Sequence, residues 1–244
     1  MKTWDRRANY ATHPNWDTDQ KKEARRCSVV APYRSLTGKT SLPRDKQYWT
    51  MCGAHYHGTE GNFLSVPGEL GQLTSDGLIA RSQWRGVDRE AAVIENNRKF
   101  YPDVWWECGD FYDVMRTECV KGKFNPGLVN YDGVMSPKYS VLYLVRIMSL
   151  IDHNIRGSLI LIANFVLKSP YRASLTSESR AVFDVLKKSY AVPDHWKILP
   201  FHWSYRGGAS KHSHAGMGIF VFVKSIHSGI IRYTKGRNLL MEIR

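Results

Sequence analysis

Short apolar runs rich in strand-forming residues alternate with amphipathic stretches from residue 48 onward. The apolar runs predict β-strands at residues 48–53, 83–88, 104–110, 127–132, 158–164, 196–205 and 218–223, and a short final strand at 230–233. Helix-forming composition and apolar positions spaced three and four apart predict helices at residues 89–100, 137–151 and 177–190, and a short helix within 68–79. Strands therefore alternate with helices along most of the chain.

This alternation predicts an α/β fold with a mostly parallel twisted sheet and helices on both faces. The run at 158–164 is almost entirely apolar, as expected for a central strand that is covered on both sides. The last two large strands follow each other without a helix between them. A C-terminal antiparallel strand is therefore expected, because a hairpin joins antiparallel neighbours.

The first 45 residues differ from the rest because they are polar, basic and poorly periodic. They predict an irregular N-terminal arm, with a short helix near residues 19–26, that precedes a main domain at residues 46–244. Alternatively, the arm is disordered until it meets a partner.

Basic side chains are in excess over the whole chain, with a formal net charge of +13. Residues 1–46 hold eleven lysines and arginines against five acidic side chains. An excess of this kind favours polyanions through counterion release and electrostatic steering, so nucleic acid, either DNA or RNA, is an expected partner. A solvated basic surface without a partner is the alternative.

The composition also bears on the compartment. No stretch reaches the roughly 18 apolar residues of a membrane span, and the N-terminus has no apolar secretory segment. The four cysteines have no Cys-x-x-Cys spacing, which is typical of reduced thiols in a cytoplasmic protein, or in the host cytoplasm if the chain is viral. The histidine spacing matches no zinc pattern, so no metal is expected.

Three predicted strands end in an acidic residue, namely Asp88, Asp110 and Asp132. Open α/β sheets bind ligands at the carboxyl ends of their strands, so these carboxylates are expected at the rim of one crevice. An acid after the second strand can accept two hydrogen bonds from a ribose diol, which favours a nucleoside-shaped ligand. Alternatively, these acids cap the helices that follow them.

The order and spacing of these segments resemble those of the class I S-adenosylmethionine-dependent methyltransferases, which have a Rossmann-like fold. The residues that carry the resemblance are segment 83–97, which includes Asp88, and Cys108-Gly109-Asp110-Phe111. It covers roughly residues 45–224. The resemblance implies that Asp88, with the adjacent Arg89, binds the ribose of S-adenosylmethionine, and that Asp110 and Phe111 contact its adenine. It places Asp132 near the methyl donor or its amino acid part.

The resemblance also implies a glycine-rich turn after the first strand, where backbone approaches the cofactor without side-chain obstruction. Here the turn is segment 52–61, and Cys52 and Gly53 are its candidate cofactor-binding residues. Gly53 precedes Asp88 by 35 residues, more than the roughly 20 typical of such units, which predicts an insertion or a remodelled pocket. A domain that has kept the fold and lost cofactor binding is an alternative.

The sequence contains fewer features that identify the methyl acceptor. Asp132 and Tyr205 are candidates to orient the nucleophile or accept its proton, and Arg206 and Lys211, in a basic glycine-rich stretch, are candidates for a substrate phosphate. The Asn/Asp-Pro-Pro-aromatic segment of amino-methylating DNA enzymes would fall at residues 130–134. These residues are Asn-Tyr-Asp-Gly-Val, so this motif is not matched. Alternatively, the loop that contains Arg206 and Lys211 is a solvated hairpin loop that contacts no phosphate.

These features predict a methyltransferase that acts on nucleic acid or on a nucleic-acid-linked target. The alternative is a catalytically degenerate methyltransferase-like fold that serves as a basic nucleic-acid-binding or assembly protein, for example in a virus or a mobile element. A nicotinamide-dependent dehydrogenase is a weaker alternative because the compact Gly-x-Gly-x-x-Gly turn is absent.

Overall fold

The computed structural model describes residues 22–23, 25–51, 68–133, 137–167, 195–206 and 216–224. The strands are β1 (Gln47–Met51), β2 (Trp84–Asp88), β3 (Trp105–Cys108), β4 (Pro126–Gly133), β5 (Leu159–Leu167), β6 (Trp196–Arg206) and β7 (Gly216–Lys224). The α-helices are α1 (Ala31–Thr37), α2 (Gly68–Ser75), α3 (Ala91–Phe100), α4 (Phe111–Val120) and α5 (Pro137–Asn154). A π-helical turn, Arg26–Val30, leads into α1, and a 3-10 turn, Arg81–Gln83, precedes β2.

The seven strands form one sheet in the order β3-β2-β1-β4-β5-β7-β6. The pairs β1–β2, β1–β4, β2–β3 and β4–β5 are parallel. Strand β7 is antiparallel to both β5 and β6, so β6 runs in the same direction as β5. The predicted fold class, a mostly parallel sheet with a C-terminal antiparallel strand, is confirmed.

Helices cover both faces of the sheet, because successive side chains of a strand point to opposite sides. Tyr48 of β1 lies in a buried core beneath the helical segment of residues 26–37, α2 and α3; we call this side the α2 face. Trp49, the next residue, lies in a second buried core beneath α4 and α5; we call this side the α5 face. The apolar run predicted at 158–164 is buried from both sides, with Ile160 on the α2 face and Leu161 on the α5 face.

The N-terminal segment departs from the expected irregular arm over residues 26–37, which are helical. Val29, Val30 and Tyr33 are buried in the core of the α2 face. Local signals mark the bounds of α1: Pro32 stands near its start, directly after the π-helical turn, and Gly38 ends it with a positive φ of 65°. The proposed boundary at residue 45 stays a prediction.

Helix α4 was not expected from the sequence, which suggested that the strand before it runs to Asp110. The strand ends at Cys108, and Asp110 is the N-cap of α4. The helix predicted at 177–190 and the strand predicted at 230–233 lie outside the described residues. Among the residues that are described, no helix is long and apolar enough to cross a membrane.

Candidate functional site

The direction of winding reverses between β1 and β4, which lie side by side in the centre of the sheet. The chain after β1 leads to α2 on one face, and the chain after β4 leads to α5 on the other. Such a switch point opens a crevice at the carboxyl ends of the strands, where open α/β folds bind ligands. The candidate residues Cys52 and Gly53 follow β1 directly but lie outside the described residues.

Asp88 and Asp132 flank this crevice. Asp88 ends β2 and Asp132 is the penultimate residue of β4, so the two acids stand on opposite sides of the end of β1. The register pairs Met51 of β1 with Val87, the residue before Asp88, and pairs Thr50 with Asn130. The structure therefore brings two of the three predicted acids to the same edge of the sheet, next to the switch point.

The Asp88 carboxylate is half-buried and shapes the turn into α3. Its Oδ1 accepts a hydrogen bond from the backbone N–H of Glu90 at 2.8 Å, and its carbonyl oxygen accepts one from Gly109 at 2.9 Å. The first bond is of the capping kind that was the alternative to ligand binding. Because a carboxylate offers about four acceptor positions, the bond from Glu90 is compatible with hydrogen bonds from a ribose diol.

Asp110 has a different environment, since its carboxylate is enclosed by donors of the protein. It caps α4 by accepting from the backbone N–H groups of Tyr112 at 3.0 Å and Asp113 at 3.3 Å. The Tyr143 hydroxyl and the Arg89 guanidinium also donate to it. Burial opposes ionisation of Asp110, but the bonds from Tyr143 and Arg89 outweigh it and lower its pKa. The structure thus shows the capping interpretation for this acid, and an adenine contact stays a prediction.

Aromatic rings tie α4 and α5 to β4 beside Asp110. The ring of Tyr143 stacks on that of Tyr131 at 5.3 Å between centroids, and the Arg146 guanidinium lies 4.2 Å from the centre of the Tyr112 ring. Burial, together with the bond to Asp110, raises the pKa of Tyr143, which keeps its hydroxyl protonated and able to donate. The ring of Phe111 is buried in the core of the α5 face, so this candidate residue contributes packing.

A second polar group, absent from the sequence-based candidates, lies on the α2 face beneath the same crevice. Its centre is Glu69 in the first turn of α2, which accepts from the Tyr48 hydroxyl, from Thr50 Oγ1 at 3.1 Å and from Asn130 Nδ2 at 2.7 Å. Asn164 Nδ2 in turn donates to Asn130 Oδ1 at 3.0 Å. Burial first, and then the nearby Glu69 carboxylate, raises the pKa of Tyr48 well above its usual value. We call the chain Glu69–Asn130–Asn164 the amide relay.

The amide relay ends next to Asp132. In the register of β4 and β5, Asn164 is the residue directly opposite Asp132, and both are half-buried. The polar residues at 130, 132 and 164 share one face of the sheet, since 130 and 132 are two apart on one strand. No sequence pattern marks this group, because its members come from α2, β1, β4 and β5, and only the strand register unites them.

Tyr205 and Arg206 stand at the carboxyl end of β6, which faces the same edge as Asp132. The backbone register places Tyr205 opposite Met217 and Arg206 opposite Gly216. Strands β5 and β7 lie between β4 and β6, a separation of three strand spacings or about 14 Å. The structure therefore does not bring Tyr205 next to Asp132, and Lys211 lies outside the described residues.

The opposite edge of the sheet carries a polar cluster of its own, centred on Asp152 near the C-terminus of α5. Lys224 Nζ and Trp196 Nε1 each lie 2.9 Å from Asp152 Oδ1, and His195 Nε2 lies at the same distance. Lys224 also donates to the carbonyl of Ile155 at 2.6 Å. Burial opposes ionisation of Asp152, yet the bonds from Lys224, His195 and Trp196 lower its pKa. Among the described residues, this cluster included, no three His, Cys, Asp or Glu side chains could hold a metal ion.

Comparison with known proteins gives a fold but no family. No protein-family model and no curated protein matches the chain. The plantazolicin methyltransferase BamL, solved with SAH, is similar over 91% of both chains at 8% identity and a TM-score of 0.51. An O-methyltransferase from Bacillus cereus, also solved with SAH, covers 89% of this chain and 91% of its own, at 11% identity and a TM-score of 0.45. The likeness to BamL shows a methyltransferase-like fold.

Proposed function

We propose that this protein is an S-adenosylmethionine-dependent methyltransferase whose donor binds at the carboxyl ends of β1 and β2. The observation that carries the proposal is the position of Asp88 and Asp132 on either side of the switch point, in a sheet with a methyltransferase-like fold. The structures of BamL and the B. cereus enzyme hold SAH, the demethylated donor. This supports S-adenosylmethionine as the cofactor here.

The residues of the crevice fit the chemistry of this donor. In this proposal, Asp88 accepts hydrogen bonds from the ribose diol, and Cys52 and Gly53, which follow β1 in the sequence, contact the donor. Arg89 closes the ribose side, where its pairing with Asp110 holds it in place. Asp110 and Phe111 position the start of α4, whose backbone faces the adenine. Asp132 orients the acceptor.

When bound, the donor would supply a methyl group on a positively charged sulfonium, for attack by a lone pair of the acceptor. Little covalent help is needed from the protein, and alignment in a dry pocket supplies most of the rate. The chain's own residues therefore bind and orient the two reactants. The proton that leaves the acceptor passes to the Asp132 carboxylate.

The acceptor is proposed to be nucleic acid or a nucleic-acid-linked target. The net charge of +13 supports a polyanionic substrate. In this proposal, Arg206, at the end of β6, and Lys211 contact a substrate phosphate, and Tyr205 orients the acceptor. A cytoplasmic location, and an origin in a virus or a mobile element, stay predictions from the sequence.

Calorimetric titration with S-adenosylhomocysteine tests the proposal. The wild-type protein is expected to bind one equivalent, and Asp88→Ala is expected to weaken binding about 100-fold, because two charge-assisted hydrogen bonds are lost. Asp103→Ala is the matched control, since this aspartate is exposed with 57% of its side-chain surface accessible and lies 3.7 Å from Arg81. It should bind like the wild type.

A folded wild-type protein that releases no heat, together with an Asp88→Ala variant indistinguishable from it, would contradict the enzymatic proposal. The degenerate alternative would then apply. It predicts RNA or DNA binding that weakens steeply with salt and does not respond to the adenosyl ligand.

A further inference from the structure

The two edges of the sheet carry opposite charge. At the carboxyl edge, the last two residues of β2, β3 and β4 and the turns 89–90 and 109–110 hold five acids against Arg89 alone, and these acids are Asp88, Glu90, Glu107, Asp110 and Asp132. At the amino edge, the loops that enter the parallel strands β1 to β5 hold seven lysines and arginines against three aspartates; these loops are residues 38–46, 76–83, 101–104, 121–125 and 155–158. Within the described residues, a polyanion is therefore attracted to the amino edge.

Hydrogen bonds join three of the amino-edge loops. Gln83, buried before β2, donates from Nε2 to the carbonyl oxygens of Pro43 at 2.6 Å and Lys46 at 3.0 Å in the loop before β1. Asn125, before β4, donates from Nδ2 to the carbonyl oxygen of Asp45 at 2.9 Å, and its Oδ1 accepts from Lys46 Nζ at 2.7 Å. Because β2, β1 and β4 are neighbours in the sheet, the three loops form one continuous surface.

Most charged side chains on this surface are cations, and we call five of them the basic rim, namely Arg44, Lys46, Arg81, Lys121 and Lys123. Arg44 and Lys123 are exposed, and neither forms an ion pair with another described residue. Arg81 and Lys121 each pair with one acid, and their side chains stay 45% and 53% exposed. The end of α4 favours the two lysines beside it, but Arg44 stands at no helix end, so helix dipoles do not account for the rim.

We propose that the basic rim binds the phosphate backbone of a nucleic acid, at the edge of the sheet opposite the donor crevice. The loops before β2, β1 and β4 span two strand spacings, about 10 Å, which is the length of about three nucleotides of one strand. The cations therefore meet successive phosphates from loops that are already held in place, which lowers the cost of ordering them. Such contacts fix the position of the nucleic acid and do not read its sequence.

The basic rim is separate from the crevice, because the two lie at opposite ends of the same strands. The five residues of β1 alone set them about 16 Å apart. A nucleotide that is held at the rim is therefore not one that enters the crevice. The inference goes beyond the proposed function and does not depend on it, since no member of the rim belongs to the proposed donor site.

A nucleic acid fits the rim better than an anionic membrane does. Stable binding to a membrane surface takes apolar side chains that enter the lipid as well as cations. In the part of the chain that the structure describes, the exposed large apolar side chains are Val120 and Leu142, and of the two only Val120 adjoins the rim. One valine offers too little apolar surface, whereas phosphate binding needs cations alone.

Fluorescence anisotropy of the full chain with a labelled single-stranded RNA of mixed sequence tests the proposal. Arg44→Gln combined with Lys123→Gln removes two phosphate contacts, so we expect binding to weaken about tenfold or more at about 0.1 M salt. The slope of log affinity against log salt should become shallower by about 1.4, because each phosphate contact of a single strand contributes about 0.7.

Lys99→Gln combined with Arg116→Gln is the matched control. It removes two exposed cations from α3 and α4 and changes the net charge by the same amount. We expect its RNA affinity to stay within about twofold of the wild type, since long-range attraction between exposed charges is screened by salt. A loss in the folded rim variant that is no larger than the loss in this control would overturn the proposal.

Two further arms identify the ligand and separate this site from the crevice. Co-sedimentation with vesicles of equal parts phosphatidylcholine and phosphatidylserine should be the same for the rim variant and the wild type, and a larger loss of vesicle binding than of RNA binding would assign the rim to lipid and overturn the proposal. The rim variant should also bind S-adenosylhomocysteine like the wild type. If neither protein binds it, the proposed function fails, while a specific loss of RNA binding in the rim variant still supports the rim.

Discussion

The two edges of the sheet hold carboxylates in opposite ways. At the amino edge, Asp152 contacts Lys224, His195 and Trp196. We call these four residues the closed cluster, because their polar groups bond to one another or to the end of α5. At the carboxyl edge, Glu69 accepts from neutral donors, and its contacts continue through Asn130 to the rim. A closed cluster fastens the end of a helix to two strands, whereas an open one leaves a polar group where a ligand would bind.

The difference follows from the fold. The amino edge receives the C-terminus of α5, whose last carbonyls attract a cation, and Lys224 donates to those of Ile151 at 3.4 Å and Ile155 at 2.6 Å. The carboxyl edge receives the N-terminus of α2, where an acid such as Glu69 is favoured. Cation and carboxylate thus occupy the helix ends that suit them, and at the carboxyl edge the carboxylate orients a chain of amides.

Removing the cation of the closed cluster should have the largest effect on stability. Lys224→Met leaves the Asp152 carboxylate, 18% exposed, without its buried partner and leaves two helix carbonyls without a donor. We expect a loss of about 3 kcal/mol in the free energy of unfolding, measured by urea denaturation. Lys123→Met, at an exposed lysine, is the control. A loss below about 1 kcal/mol would show that the cluster does not stabilise the packing of α5 on β6 and β7.

Substitutions in the open cluster, which is Glu69 with its donors Tyr48, Thr50 and Asn130, should lower the free energy of unfolding by less. Tyr48→Phe removes one donor to the Glu69 carboxylate at a fully buried position, and we expect a loss of about 2 kcal/mol. Tyr33→Phe is the matched comparison, because its hydroxyl donates to the neutral carbonyl of Ser41 at 3.2 Å and should cost about 1 kcal/mol. Equal losses in the two variants would argue that Glu69 has no special role.

The closed cluster also predicts a dependence on acid. The pKa of Asp152 is lowered in the folded state, so its contribution is present above the unfolded value of about 3.9 and is lost as the pH falls through the lower folded pKa. The pKa of Asp110 is also lowered in the folded state, so its contribution to stability is lost with acid in the same way. In Lys224→Met, the pKa of Asp152 should rise toward its unfolded value, so the fall in unfolding free energy with acid becomes shallower. If the free energy of unfolding falls with acid as steeply in Lys224→Met as in the wild type, Lys224 is not the residue that lowers the pKa of Asp152.

The smallest effect is expected for His195, the exposed member of the closed cluster. Its side chain is 43% exposed, so its contact with Asp152 is screened by water. His195→Gln should cost less than about 1 kcal/mol by thermal denaturation. A loss as large as that of Lys224→Met would mean that the histidine, not the lysine, closes the cluster.

The succession of strands along the chain could be predicted because each strand is a compact apolar run, and Asp88 and Asp132 do lie at the carboxyl ends of β2 and β4. Helix α4 was missed because the acid that ends a strand and the acid that caps a helix look alike in sequence. Asp110 proved to be the cap. The helical segment of residues 26–37 was missed because the basic composition outweighed the proline and glycine that bound α1.

The amide relay could not be predicted at all. Glu69 and Asn164 are 95 positions apart, and their connection through Asn130 depends on the register of β1, β4 and β5. A one-residue slip in that register would turn Asn164 to the other face of the sheet. Sequence periodicity says which face is polar, but only the register says which polar groups meet.

A crystal structure of the complex with S-adenosylhomocysteine would show whether the adenosyl group binds at the ends of β1 and β2. We expect the ribose hydroxyls within hydrogen-bond distance of the Asp88 carboxylate, and the sulfur above the end of β4 beside Asp132. An adenosyl group bound elsewhere, or one whose ribose is turned away from Asp88, would contradict it.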